Sequence, residues 1–340
     1  MVAPVRRTTL DDVARRAGVS PKTVSRVLNN EPHVKAAVRE RVREAAAALS
    51  YQPNLVAQSL VTRRSYLIGL VYENPSPSYV VELQMGALER LRSERYRLVV
   101  FPVRSVQEHA GEVVGLLRAA ALDGVVLAPP ASDHPRVLEE LRAFGIAFAR
   151  IAPTRQLADG PVNLLDDVAA ARTVAEHVIA MGHRDIGIIK GDPDHPSSEA
   201  RLLGYGQAFH QHGVPMRLDR IERGMYTFDS GAEAARRLLS GPVRPTAILS
   251  QNDEMAVGAM TAARELGLDL PRDLSIAGFD NAEASRIVWP ALTTVHQPIA
   301  EMAASAVEQV LGELEGRPVE RERRHEPRLI VRRSVTPPPA

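Results

Sequence analysis

Along residues 66–335, short apolar runs alternate with longer stretches whose apolar positions recur every third or fourth residue. The runs at 67–72, 98–103, 124–128, 147–151, 186–189, 247–250 and 274–279 predict buried strands. The stretches near 79–93, 108–121, 135–144, 168–181, 199–212, 230–239, 254–266 and 299–315 predict amphipathic helices. Strands that are apolar on both faces belong to parallel sheets covered by helices on each side. There are too many strand–helix pairs for one sheet of usual size, so two doubly wound lobes are expected. No short internal repeat is visible. The Pro-rich end at 336–340 is expected to be disordered.

The first 64 residues follow another rhythm. Thr9-Leu10-Asp11-Asp12 has the form of a capping box with Asp in its last position, and its two acids suit the positive end of a helix. Leu10, Val13, Ala14 and Ala17 then share one face, and Gly18 ends the helix. Ser20 is placed to cap the next helix, with Pro21 at the first position, where no N–H is needed. Val24, Val27 and Leu28 form its apolar face. Two short helices joined by a turn containing Gly predict a helix-turn-helix. A third helix, about 36–49, turns Val38, Val42, Ala45, Ala46 and Leu49 inward, with Lys35 at its start in place of a capping Ser.

In this motif the N-terminal part of the second helix enters the DNA major groove. Pro21, Lys22, Thr23, Ser25 and Arg26 point outward there. Arg26 can donate two hydrogen bonds to guanine O6 and N7, and Lys22 reaches similar acceptors. The same geometry also occurs in proteins that never meet DNA.

Charge bears on that choice. The chain as a whole carries +1, but residues 1–64 hold 12 Lys and Arg against 5 Asp and Glu, a net of +7, and the rest nets −6. A basic head on a mildly acidic body suggests a polyanion partner for the head, against the alternative of a solvated basic surface. With no cysteine there is neither a disulfide nor a thiolate zinc site, as suits a reducing cytoplasm. The start of the chain lacks the apolar core of a secretory signal, and no apolar run reaches membrane-spanning length.

Thr9-Leu10-Asp11-Asp12-Val13-Ala14-Arg15-Arg16-Ala17-Gly18-Val19-Ser20, followed by Thr23-Val24-Ser25-Arg26-Val27-Leu28-Asn29, resembles the headpiece of the lactose-repressor (LacI/GalR) family of transcription regulators. Tyr51-Gln52-Pro53-Asn54-Leu55-Val56-Ala57-Gln58-Ser59-Leu60 is similar to that family's hinge, and the likeness runs the length of the chain. It implies an all-α helix-turn-helix headpiece (1–51) and a hinge helix with linker (52–65). These lead into a two-lobed α/β domain similar to periplasmic sugar-binding proteins (66–340). Its N-terminal lobe is expected at 66–164 and 294–322, and its C-terminal lobe at 165–293 and 323–340.

Pro53-Asn54 stops the third helix, and Asn54 can cap a hinge segment too short to be helical alone. Such a segment folds when docked on DNA and melts when released. In the family two hinge helices pair across a dimer and insert leucines into the minor groove. Leu60 sits at that wedge position, where an apolar side chain unstacks a base step. The implied DNA contacts are Thr9, Ser20, Pro21, Lys22, Thr23, Ser25, Arg26, Asn29, Asn54, Ala57 and Leu60. Pro21 departs from the usual polar or aromatic base reader, which leaves more of the readout to Lys22 and Arg26.

In open α/β sheets, ligands sit beyond the carboxyl ends of the strands. Those ends carry Tyr72 and the 73–79 loop, Asp166-Asp167, the loop 191–201, Asn252-Asp253 and Phe279-Asp280. The resemblance implies Tyr79, Arg201, Tyr226, Asn252, Asp280 and Trp289 as effector contacts, and the strand ends add Tyr72 and Asp166. Arg201 and Asp280 together suit adjacent sugar hydroxyls, and a structural ion pair is the alternative. Asp253 is read as the cap of the helix at 254, and Asp166 and Asp167 as caps or contacts. Trp289 is read as a wall of the cleft.

Enzyme readings lack their parts. There is no Walker-type phosphate loop, Gly204-Tyr205-Gly206 lies inside a helical stretch, and the histidines lack metal spacing. His183 follows a helix end and is read as structural, a cation on the helix dipole. No cofactor is expected. The expectation is a cytoplasmic homodimer on palindromic operator DNA, released by a sugar-like effector between the lobes. A corepressor-dependent switch and a sugar-binding module without DNA function stand as the alternatives.

Overall fold

The Thr9 hydroxyl accepts from the Asp12 N–H at 3.3 Å, and the Asp12 carboxylate accepts from the Thr9 N–H at 3.0 Å. This reciprocal cap starts the helix Leu10–Ala17, and Gly18, at φ 64°, ends it. Ser20 Oγ accepts from the Thr23 N–H at 3.2 Å at the start of the helix Pro21–Leu28. The helix Ala36–Ala48 begins at Lys35 with no side-chain cap. Val13, Val24, Val27, Val42 and Ala45 interlock between the three helices, with Leu10, Val38 and Leu49 at the margin.

The computed structural model describes residues 8–28, 32–51, 64–73, 76–155 and 157–339. The chain divides into two units, Met1–Ser65 and Tyr66–Ala340. Asn29 and the hinge positions Asn54, Ala57 and Leu60 lie outside the described residues.

The second unit holds the expected alternation. Its strands are β1 (Leu67–Tyr72), β2 (Arg97–Pro102), β3 (Gly124–Leu127), β4 (Ala147–Ile151), β5 (Val162–Leu165), β6 (Ile186–Lys190), β7 (Ile221–Arg223), β8 (Ala247–Ser250), β9 (Ser275–Ala277), β10 (Thr294–His296), β11 (Glu322–His325) and β12 (Arg328–Ile330). One parallel sheet runs β11-β5-β4-β3-β1-β2 and another β7-β6-β8-β9, each with helices on both faces. In the N-terminal lobe, helices Pro77–Leu91 and Ile299–Glu315 cover one face, and Val106–Ala119 and Pro135–Ala143 the other. In the C-terminal lobe the pairs are Asp167–Ala180 with Pro196–Gln211, and Phe228–Leu239 with Asp253–Glu265. The helices of a pair approach closely: a Cβ on Gly204 would lie 2.3 Å from the Val168 carbonyl oxygen. Gly204 is therefore a packing residue inside a helix.

Five strands were not expected. β7 and β11 are short and mostly polar, β12 is only three residues long, and β5 carries a buried Asn163 that donates to Gln309 Oε1 at 2.7 Å. β10 pairs antiparallel with β12 in a small ribbon. β2, expected as buried, is an edge strand with Arg97, Val100 and Pro102 exposed and the rest half-buried. The sheets also move the lobe crossings. β11 extends the N-terminal sheet through His325, and Val295 of β10 and Leu329 of β12 pack in the C-terminal core.

The chain end is held rather than disordered through Thr336. Its N–H donates to Ser275 Oγ at 3.1 Å, and its carbonyl accepts from His183 Nε2 at 2.8 Å. His183 is buried, which lowers its pKa, and its Nδ1 meets Thr246 Oγ1 at 2.9 Å. The residue is structural, but as a neutral ring clipping the tail rather than a cation on a helix dipole.

Candidate functional site

In the first unit, Pro21, Lys22 and Arg26 are exposed on the second helix, Thr23 and Ser25 are half-buried beside them, and Val24 and Val27 face the core. Thr9 and Ser20 are exposed at the starts of their helices. Ser20 and Thr23 share a hydroxyl–hydroxyl bond of 2.9 Å, which stiffens the entry to the second helix.

In the second unit, Ser76, Tyr79, Pro129 and Ala152 of the N-terminal lobe face Asp167, His195, Ser197, Arg201, Tyr226, Asn252 and Asp280 of the C-terminal lobe, with Gln297 on a crossing segment. They enclose a cavity of about 40 Å³. That is room for roughly one or two water molecules, so a larger ligand enters only if the lobes part or side chains turn. Ser76 Oγ donates to Glu254 Oε1 at 2.8 Å and ties the lobes together at its rim.

Arg201 is the centre of the site. Its Nε donates to Asp167 Oδ1 at 2.8 Å and its Nη1 to the Gln251 carbonyl at 2.5 Å. Asp280 Oδ1 lies 3.9 Å from Nη1, and the guanidinium stacks 3.8 Å from the centre of the Phe279 ring. Burial alone would lower the pKa of Arg201, but Asp167, Tyr226 and Asp280 outweigh it and hold the charge firmly in place. Asp280 is pushed well above the usual carboxylate range by burial, with Arg201 opposing. It accepts from Gln297 Nε2 at 2.5 Å. Burial also raises the phenols of Tyr79 and Tyr226, which stay protonated donors.

Tyr226 reaches the cavity because Gly191 has no side chain: a Cβ there would lie 2.0 Å from its Cζ. Its hydroxyl meets Ser197 Oγ at 3.1 Å, and His195 packs edge-on against its ring.

Of the residues singled out in the sequence, Tyr79, Arg201, Tyr226, Asn252 and Asp280 meet in this cavity, and three do not. Asp166 caps the helix Asp167–Ala180 by accepting from the Ala169 N–H at 2.9 Å, and its neighbour Asp167 faces the cavity instead. The Tyr72 hydroxyl accepts from Gln84 Nε2 at 3.4 Å, away from the cavity. Trp289 is 68% exposed beside Arg333 and walls nothing. Ser76, His195 and Ser197 lie in the loops 73–79 and 191–201 that the strand ends pointed to, but were not singled out within them; Gln297, on a crossing segment with no periodic signal, was missed.

Asp253 is not the cap of its helix. Asn252 is, with Oδ1 accepting from the Met255 N–H at 3.0 Å while Nδ2 donates to the Tyr226 carbonyl at 2.9 Å. The Asp253 carboxyl is buried, where it accepts from the Thr294 hydroxyl at 2.6 Å and the Ala282 N–H at 2.8 Å. Burial pushes it up to about 7, against those two hydrogen bonds. The folded state therefore keeps a proton that the unfolded chain releases near pH 4. Stability from this group is fullest below pH 4 and falls as pH rises toward 7. The urea midpoint of Asp253→Asn should fall less between pH 5 and pH 8 than that of the wild type. Equal slopes would refute the raised pKa.

Residues 9–54 match the family model described as bacterial regulatory proteins, lacI family, and residues 175–335 match a periplasmic binding protein-like domain. The chain is 33% identical over 302 residues to catabolite control protein A of Priestia megaterium, covering 88% of this chain and 90% of that protein. The chain belongs to the lacI family. Another lacI-family relative is the HTH-type transcriptional repressor PurR of Pectobacterium carotovorum subsp. carotovorum (strain PC1), 32% identical over 337 residues, 97% of this chain and 98% of that one. Among solved structures, the lac repressor dimer bound to operator and the anti-inducer ONPF superposes with a TM-score of 0.83 at 30% identity, covering 97% of this chain and 100% of that one. A complex of the transcriptional regulator CelR with cellobiose gives 0.72 at 28%, covering 96% and 100%. This lacI-family chain is a DNA-binding transcription regulator with an effector-binding body, and not an enzyme.

Proposed function

We propose that this regulator is a cytoplasmic homodimeric repressor, released from a palindromic operator when a sugar-like effector binds between its lobes. The observation that carries the reading is the buried cluster of Arg201 with Asp167 and Asp280, joined by Asn252, Tyr79 and Tyr226 from both lobes. It offers paired donors and acceptors to adjacent hydroxyls. Arg201 is already bound to Asp167 and the Gln251 carbonyl, so a ligand that reaches it competes with those bonds and enters by parting the lobes or turning side chains; in this reading it parts the lobes. DNA affinity then depends on effector occupancy, and by linkage effector affinity depends on DNA to the same degree. Thr9, Ser20, Pro21, Lys22, Thr23, Ser25 and Arg26 meet the operator, with Lys22 and Arg26 reading bases. Asn29, Asn54, Ala57 and Leu60 join them by their place in the family motif.

Fluorescence anisotropy of the protein on its own upstream DNA, repeated with mono- and disaccharides, tests the reading. Tight, competitor-resistant binding that one sugar weakens is expected. Binding that forms only with an added ligand would replace induction by corepression.

The dimer is supported by an exposed apolar stripe. Val81, Met85 and Leu88, 57%, 59% and 48% exposed, recur at helical spacing on Pro77–Leu91. Glu82 on the same helix feels the charges of Arg286 and His296 across the lobe boundary, and Ile287 beside Arg286 is 76% exposed. An exposed apolar stripe of this kind is one that a second copy of the chain can cover. Met85→Glu should shift the light-scattering mass from twice 37.1 kDa toward 37.1 kDa. An unchanged mass would remove this face from the interface.

A further inference from the structure

The cavity around Arg201 has a larger neighbour toward the rim of the cleft. This outer cavity, about 180 Å³, is lined by Glu73, Ser105, Gln107, His134 and Arg155 of the N-terminal lobe and by Asp194 of the C-terminal lobe, among others. At four places the two cavities take residues from the same short stretch of chain: Glu73 and Ser76, Pro130 and Pro129, Arg155 and Ala152, Asp194 and His195. Four loops that each serve both spaces make them two parts of one cleft, and both parts span the two lobes.

The outer part is built of groups with spare bonding capacity. His134 Nδ1 is buried without a hydrogen-bond partner. Among the described residues, the Arg155 guanidinium has no ion pair, and its backbone alone is engaged by Asp133 and Arg150. Glu73 uses one carboxylate oxygen on the Val106 N–H. Asp133 is already neutralised by the buried Arg150 at 3.1 Å. Glu73 lies within electrostatic reach of Asp192 and Asp194, and burial and those charges raise its pKa. Carboxylates thus outnumber the one unpaired cation. Such a space accepts hydroxyl donors and repels a phosphate or uronate. Pro130, Pro135 and Pro196 add flat apolar surface suited to the C–H face of a pyranose.

We propose that the effector is a neutral glycoside of at least two units. One unit sits on Arg201 and Asp280, and the second lies in the outer cavity between Glu73, His134 and Arg155 on one side and Asp194 on the other. The proposal rests on the effector reading above and adds the size and charge of the ligand. An occupant of the outer part touches both lobes, so it adds its binding energy to the lobe angle that sets DNA affinity.

Isothermal titration of the full-length protein tests it with glucose, galactose, glucose 6-phosphate, maltose, cellobiose, lactose and melibiose. One of the disaccharides should bind at least tenfold more tightly than either of its monosaccharides, and glucose 6-phosphate more weakly than glucose. Arg155→Ala, at an exposed side chain, should shrink the disaccharide's advantage to less than threefold, and Asp194→Asn should do the same. A monosaccharide or phosphate that binds as tightly as every disaccharide overturns the outer subsite and leaves the effector cavity standing. An undiminished advantage in both variants overturns the assignment of these residues. Heat from none of the sugars, with operator binding intact, overturns the sugar reading and this proposal together.

Discussion

Arg201→Ala should lower the stability of the second unit by about 3–5 kcal/mol, the usual cost of removing one partner from a buried charge cluster, and should abolish the effector response. Arg201 is 5% exposed, and its guanidinium serves Asp167, the Gln251 carbonyl and the Phe279 face at once. Without it Asp167 loses its ion-pair partner in a cavity with no replacement cation, and Asp280, already raised by burial and by Asp253 and Glu254, loses the charge that opposes the rise. Asp280 can take up a proton; Asp167 is left desolvated. Lysine is no remedy, because one ammonium cannot reproduce the planar fork that reaches Asp167 and Gln251 together. Urea unfolding of the variant, with operator anisotropy under a sugar panel, checks both halves. A variant as stable as the wild type that still responds to sugar would show Arg201 to be a bystander.

How far the site was legible follows from where its residues lie. β1 and β3 are unbroken apolar runs, and the rule that ligands gather beyond strand ends brings Tyr79, Arg201, Asn252 and Asp280 into one cavity. Neighbours at those same ends were ambiguous. Asn252 and Asp253 can each cap a helix, and the choice is made by the Ala282 N–H and the Thr294 hydroxyl, 29 and 41 residues away, which capture Asp253. Asp166 and Asp167 divide the other way: the first caps and the second turns to Arg201. In both pairs a local pattern names the two candidates and a distant partner selects between them. Gln297 has no local pattern at all, because it lies on a crossing segment whose path is set by the β10–β12 ribbon. Trp289 misleads for a related reason. Its bulk suggests a wall, but the loop after the helix Ala284–Ile287 leaves it outside the cavity.

The headpiece, by contrast, is almost wholly local in origin, and its reading helix makes the second large prediction. Arg26→Ala should weaken operator binding by roughly thirtyfold to more than ten-thousandfold, taking about 1–3 kcal/mol for a bidentate arginine–guanine pair in each of two half-sites. The change is confined to the surface. Val24 and Val27 carry the packing of this helix, and the Ser20 and Thr9 caps hold its frame, so Arg26 can be shortened without opening the core. Pro21 cannot donate to a base, which leaves Lys22 as the remaining charged side chain on the exposed face, and a single ammonium gives weaker discrimination than a guanidinium fork. Weak binding to any duplex should survive in Arg26→Ala, since it rests on phosphate contacts. The salt dependence should change by about one counterion per headpiece or less. Anisotropy on the operator and on a scrambled duplex at two salt concentrations separates the cases. Loss on the operator alone places Arg26 on a base. Equal loss on both duplexes with a shallower salt slope places it on phosphate. Undiminished operator affinity removes the second helix from the groove.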